Sequence, residues 1–123
     1  MKSKRLSNFT GEQNNMAKKL QKVQTKLDEV SKEIEEMSFI GISGGGVVEV
    51  MLKGDKNLIS IKVSDDFKNE MKIKEDEKGE ENSLSMLLDL IVAAANDGLS
   101  KIDEYTDKEI SKITKGIPIP GLN

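Results

Sequence analysis

The 123-residue chain carries 19 basic and 22 acidic side chains, a formal charge of −3, and neither histidine nor cysteine. These absences exclude disulfide staples, thiolate zinc sites and an imidazole general base near neutral pH. The length supports one domain with one modest core, built from Ile, Leu, Val, Met and Ala around Phe9, Phe39, Phe67 and Tyr105, and so thin a core favours association with a second copy.

Residues 1–14 are polar and basic, lack the apolar stretch of a secretory signal, and read as a flexible extension, with the cytoplasm as the expected compartment. From there Met16, Leu20, Val23, Leu27, Val30, Ile34 and Met37 are spaced by four and three in alternation. This heptad seam, with no Gly or Pro between Glu12 and Ile40, predicts a long helix packed on one or two others and partly standing away from any sheet. The six residues from Met16 to Ile34 are the candidate core and dimer seam.

The period then changes to that of a strand. Phe39, Ile40 and Ile42 form a short β run ending in Gly44-Gly45-Gly46, followed by runs over 47–53 and 58–63 separated by Gly54-Asp55-Lys56-Asn57. Turn residues that accept positive φ or bond to their own backbone make the last pair a hairpin, and the three runs an antiparallel meander. In the third run Ile59, Ile61 and Val63 alternate with Leu58, Ser60 and Lys62, which predicts one covered face and one wet one.

Ser64 or Asp65 is placed to cap a short helix, and residues 72–82, dense in Lys, Glu and Asp, read as a solvated loop. Ser83 is then expected to cap a long final helix carrying Leu84, Leu87, Leu88, Ile91, Ala94, Ala95, Leu99, Ile102, Ile110 and Ile113 at helical spacing. The most apolar run, 84–95, is interrupted by Asp89 and falls well short of the roughly 20 residues of a membrane span, so no membrane partner is expected. Gly116 stops the helix, and Ile117-Pro118-Ile119-Pro120 predicts an extended tail over 116–123.

Two motifs look catalytic and fail on chemistry. Gly41-Ile42-Ser43-Gly44-Gly45 fits a nucleophile elbow in letters only, since that serine needs a histidine and a doubly wound sheet. The glycines are not a phosphate loop either, because no Lys-Ser/Thr pair follows them. Acidic clusters at 28–29, 33–36, 75–77 and 103–107 lack a metal-binding spacing. No catalytic residue, metal, cofactor or small-molecule substrate is expected.

The acidic average hides a segregation of charge. Residues 1–27 hold Lys2, Lys4, Arg5, Lys18, Lys19, Lys22 and Lys26 against Glu12 alone. Lys19, Lys22 and Lys26 share one side of the first helix, with Lys18 one turn before Lys22, and no acid lies between Met16 and Leu27 to relieve them. A polyanion would. Lys112 and Lys115, with Lys108, form a second basic set near the end of the last helix, where they also suit the helix dipole. If the two helices run side by side, the sets meet at one tip.

Taken in order, these pieces resemble the YbaB/EbfC family. The resemblance rests on the amphipathic first helix, the Gly41-Ile42-Ser43-Gly44-Gly45-Gly46-Val47-Val48-Glu49-Val50 segment, the strand pair around Gly54, the run Leu87-Leu88-Asp89-Leu90-Ile91-Val92-Ala93-Ala94-Ala95-Asn96-Asp97, and the Gly116-Ile117-Pro118-Ile119-Pro120-Gly121 tail. It covers about residues 14–122. It implies an α+β fold of long N-terminal helix, three-stranded antiparallel meander and long C-terminal helix, in a tweezers-like homodimer that binds DNA in the bacterial nucleoid, organises it or affects gene expression, and catalyses nothing. The basic extension 1–14 and the acidic stretch 72–82 depart from the family pattern. The chain thus divides into a basic extension (1–14), the α+β domain (15–115) and a Pro/Gly tail (116–123). The expected DNA-binding residues are Lys18, Lys19, Lys22 and Lys26, then Lys112 and Lys115, with Lys2, Lys4 and Arg5 as an accessory arm. Without an aromatic among them to stack on unpaired bases, double-stranded DNA is the expected partner. The competing reading is a protein-interaction module whose heptad helix binds a different protein.

Overall fold

A computed structural model describes residues 2–74 and 80–115, with side chains over 15–71 and 83–115. The element order is α1 (Lys2–Glu36), β1 (Ser38–Ser43), β2 (Val48–Lys53), β3 (Leu58–Val63), α2 (Asp65–Lys74) and α3 (Glu80–Thr114). The strands form one antiparallel sheet in the order β1-β2-β3, the expected meander. No element boundary falls at residue 14, where the extension was set apart; the helical backbone runs on from Lys2. The tail 116–123 lies outside the described residues.

Local chemistry explains both hairpins. Between β1 and β2 the chain turns through Gly44, Gly45 and Gly46, all at positive φ (62°, 68° and 102°), a conformation that side chains disfavour. Between β2 and β3 the Asp55 carboxylate accepts the Asn57 N–H at 3.0 Å, and Lys53 N–H donates to the Asn57 carbonyl at 2.9 Å.

The core lies where α3 crosses the sheet. Val48, Val50 and Leu52 project from one face of β2 and are fully buried with Ala94, and Ile102 is nearly so. Leu87, Leu90, Ile91, Ala95 and Leu99 pack around them, and Phe39 meets Tyr105 edge to face at 5.7 Å. Removing each β2 side chain from water contributes about 1.5–3 kcal/mol. Gly41, opposite Val50, and Gly98 let the backbones of β1 and α3 touch: a methyl on Gly41 would lie 1.9 Å from the Ala94 carbonyl oxygen and 2.5 Å from the Gly98 nitrogen. On length and composition alone Ser83–Thr114 passes for a membrane span, but the sheet occupies one of its faces.

β1 is an edge strand, and α3 closes its edge. Asp97 Oδ2 accepts the Ile42 N–H at 2.9 Å, Lys101 Nζ donates to the Ile40 carbonyl at 2.9 Å, and the two side chains pair at 3.0 Å. The clamp imitates a neighbouring strand. The Ile42 N–H, and then Lys101, holds the Asp97 carboxyl below its usual range.

Three expectations need correction. First, β3 is covered only at its end, where half-buried Val63 packs against the core: Ile59 and Ile61 remain about half exposed although Ile61 stands opposite buried Val50, because α3 lies over β1 and β2 and stops short of β3. Second, the stretch 72–82 is not wholly loop. α2 runs to Lys74 and α3 starts at Glu80, since Lys and Glu are good helix formers wherever solvent can take their charge. Ser64 is the α2 cap, its Oγ accepting the Phe67 N–H at 3.3 Å. Third, Ser83 lies inside α3 and is buried, so it does not cap it. Leu84 and Leu88, expected among the packing residues, are half exposed.

Gly41→Ala, which drives a methyl into backbone, is expected to cost more than the ~1–3 kcal/mol of ordinary overpacking. Gly98→Ala should cost less, because it meets the movable end of Leu52 and gains helix propensity. Urea unfolding of the two variants checks the order. Because the Asp97 pKa is depressed on folding, the clamp's contribution is present above the ordinary carboxylate pKa of about 3.9 and is lost as pH falls through the lowered folded value. The stability difference between wild type and Asp97→Asn should therefore shrink in acid; a difference constant from pH 7 to pH 2 would contradict the ionic role.

Candidate nucleic-acid interface

The seam of α1 is divided along its length. Val23 and Ile34 are buried, Leu27, Val30 and Met37 half-buried, while Leu20 and Met16 are 45% and 65% exposed. The cause is how α3 lies against it. Ile34 faces Ile102 and Thr106 across one small cleft, and Val23 lines a groove with Ile113, so α1 and α3 run antiparallel. Eleven residues back along α1 match eleven residues forward along α3. The helix α3 ends at Thr114, one residue past the level of Val23, and Met16 and Leu20 stand above it.

At that level lies a groove of about 710 Å³, lined by Lys18, Lys19, Lys22 and Lys26, the more apolar Val23 and Ile113, and the polar Gln21, Thr25 and Glu29. The sequence-predicted lysines of α1 thus share one concave surface, at the end of the helix pair remote from the sheet. Lys19 to Lys26 covers about 10 Å along the axis, from the helical rise of 1.5 Å per residue. Among the described residues one carboxylate, Glu29, lines the groove with the four lysines.

The second basic set is only partly joined to the first. Ile113 brings the α3 terminus to the groove, but its neighbours Lys112 and Lys115 are not among the lining residues, and Lys112 pairs with Glu109 at 3.0 Å. Lys2, Lys4 and Arg5 have side chains outside the described residues. Sequence reasoning missed Glu29 and Thr25 as lining residues, although both follow helical spacing from Lys22 and Lys26. Ser43, the serine of the apparent elbow, donates its hydroxyl to the Leu90 carbonyl and ties β1 to α3.

The model of the YbaB/EbfC DNA-binding family matches residues 10–117. The chain belongs to this family. It is similar to a nucleoid-associated protein of Clostridium acetobutylicum, at 36% identity over 112 residues covering 91% of this chain and 90% of that protein. A nucleoid-associated protein of Oceanobacillus iheyensis is 37% identical over 112 residues, covering 91% and 97%. One from Acetivibrio thermocellus is 37% identical over 115 residues, covering 93% and 92%. The family thus supplies the DNA partner, and the groove supplies the concentration of cations that a family model does not describe.

Four lysines so close repel one another. Their joint replacement by Gln should leave stability at low salt unchanged or raised, by about 0.2–0.5 kcal/mol for each i,i+3 or i,i+4 pair relieved. Thermal unfolding monitored by circular dichroism tests this; a marked loss would mean that the lysines serve the fold. Ile34→Ala, in contrast, should cost about 2–5 kcal/mol.

Proposed function

We propose that this protein is a non-enzymatic, nucleoid-associated homodimer that grips double-stranded DNA by phosphate contacts from Lys18, Lys19, Lys22 and Lys26. The groove that gathers these lysines at the free end of the α1–α3 pair is the observation that carries the reading. Ammonium groups on a helix suit phosphate as point charges and read little of the base edges, so binding is largely independent of sequence. Among the described residues no aromatic side chain lines the groove to stack on unpaired bases, which favours duplex. Lys112 and Lys115 flank the site, and Lys2, Lys4 and Arg5 extend it along the basic stretch 1–14, the accessory part of a division into 1–14, 15–115 and 116–123.

The second copy is supported by apolar surface that a single chain leaves uncovered. Leu58, Ile59 and Ile61 of β3 and Leu84, Met86, Leu88 and Val92 of α3 are each about half exposed or more, an extent unusual for a lone soluble domain. Two copies joined through such surface present two basic arms. The names of the relatives from Clostridium, Oceanobacillus and Acetivibrio support a place in the bacterial nucleoid, within the cytoplasm, with organisation of DNA or influence on expression as the role.

A fluorescence-anisotropy titration on a random-sequence duplex, at several salt concentrations and with sedimentation of the same samples, tests the reading. With all four lysines of both subunits engaged, the logarithm of affinity should fall with the logarithm of salt at a slope of about −7. Replacing the four by Gln should remove binding and leave the dimer intact. Absence of binding at low salt would overturn the DNA reading and turn attention to a protein partner for α1.

A further inference from the structure

One exposed face of α1 changes sign midway along its length. Lys19, Lys22, Lys26, Glu29, Glu33 and Glu36 follow one another at intervals of three and four, so they form a single stripe, and every one of them is exposed. The first three are cations and the last three anions. The border falls inside the groove, because Glu29 lines it together with Lys22 and Lys26. At 1.5 Å of rise per residue, Lys22 to Lys26 spans about 6 Å and Lys26 to Glu29 about 4.5 Å, so a carboxylate stands where the next cation of the row would stand. Glu36, at the far end of the stripe, lies 3.8 Å from Lys53 of β2, whereas among the described residues Glu29 forms no ion pair.

We propose that Glu29 sets the sheet-ward limit of DNA contact on each arm and holds affinity below what the four lysines alone would give. The inference rests on the reading of this groove as a phosphate grip on two paired arms. A DNA strand carries one negative charge per about 3.4 Å of helix axis, so a strand laid along the stripe brings a phosphate to Glu29 within one or two nucleotides of one held by Lys26. An ionised carboxylate has no proton to donate to that phosphate and repels it. Glu33 and Glu36 continue the same sign toward the sheet. The duplex is thereby confined to the free end of the arm, and the row of cations is cut off at Lys26 although the helix runs on for ten residues more.

Full-length Glu29→Gln, Glu29→Lys and Asp28→Asn would be titrated beside wild type on a random-sequence duplex by fluorescence anisotropy, with sedimentation checking that assembly is unchanged. The salt series is centred on about 0.1 M, where the Debye length is about 10 Å and distant charges are screened. Asp28→Asn is the control for net charge: it removes the same charge, but Asp28 points about 100° away around the helix and is not among the residues lining the groove. Glu29→Gln should bind about fourfold tighter than wild type, about twofold for each arm, with the salt slope unchanged, and Asp28→Asn should gain less than half as much. Glu29→Lys should steepen the slope by about 2, for one further phosphate on each arm. A gain from Glu29→Gln no larger than that from Asp28→Asn would overturn the inference, as would a Glu29→Lys slope equal to that of wild type. Either result, with wild type bound, leaves the DNA reading standing. Absence of binding by wild type and all three variants at low salt would overturn both.

Discussion

The structure depends on the contact of two backbones, where Gly41 of β1 meets Gly98 of α3. With no Cβ on either strand or helix at the crossing, α3 lies low enough for Val48, Val50 and Leu52 to be buried against Ala94 and its neighbours. The same approach places Ser43 against the Leu90 carbonyl and brings Asp97 and Lys101 within hydrogen-bond distance of the β1 edge. A helix seated higher would lose the polar ties along with the packing. From this crossing α3 continues past the sheet to Thr114, and Ile102, Thr106 and Ile113 of its far half line the clefts it shares with α1.

Charge is thereby separated from packing along the length of the molecule. The sheet end carries the buried apolar residues and the Gly41–Gly98 contact; the helical end carries charge, with a thin apolar stripe of Val23 and Ile113 beneath it. Lysines that repel one another are tolerated there because their cost falls on helical turns that the core does not need. The chain can be acidic in total and still offer a concentrated cation surface, since the carboxylates of α1 sit mostly past Leu27, toward the sheet.

Much of this was legible in the residues because it depends on periodicity and turn chemistry. The four-three spacing from Met16 marked the face of α1 that meets α3, the triple glycine marked a turn with three positive φ angles, and the row of lysines marked the groove. What escaped depends on contacts between distant segments. Nothing in the alternation of Leu58–Val63 tells how far α3 extends across the sheet, so the exposure of Ile59 and Ile61 needed the three-dimensional layout. Asp97 and Lys101 stand four residues apart on α3, a spacing found on any charged helix face, and only their distance to Ile40 and Ile42 shows what they do. Ser83 looked like a cap because an apolar run follows it, but the helix had already begun among the charged residues before it.

The clamp on β1 bears on the geometry of assembly. A bare strand edge is a template, and a sheet with two of them can add copies on both sides and grow into a fibre. Here one side is occupied by a carboxylate and an ammonium from the chain's own helix, and among the described residues β3 carries no equivalent. Sheet addition is then one-sided, and a contact that pairs the same edge of two molecules consumes the open edge of both. Growth by that route terminates at two. A pair of side chains four residues apart would thus act as a terminator of sheet addition on the β1 side.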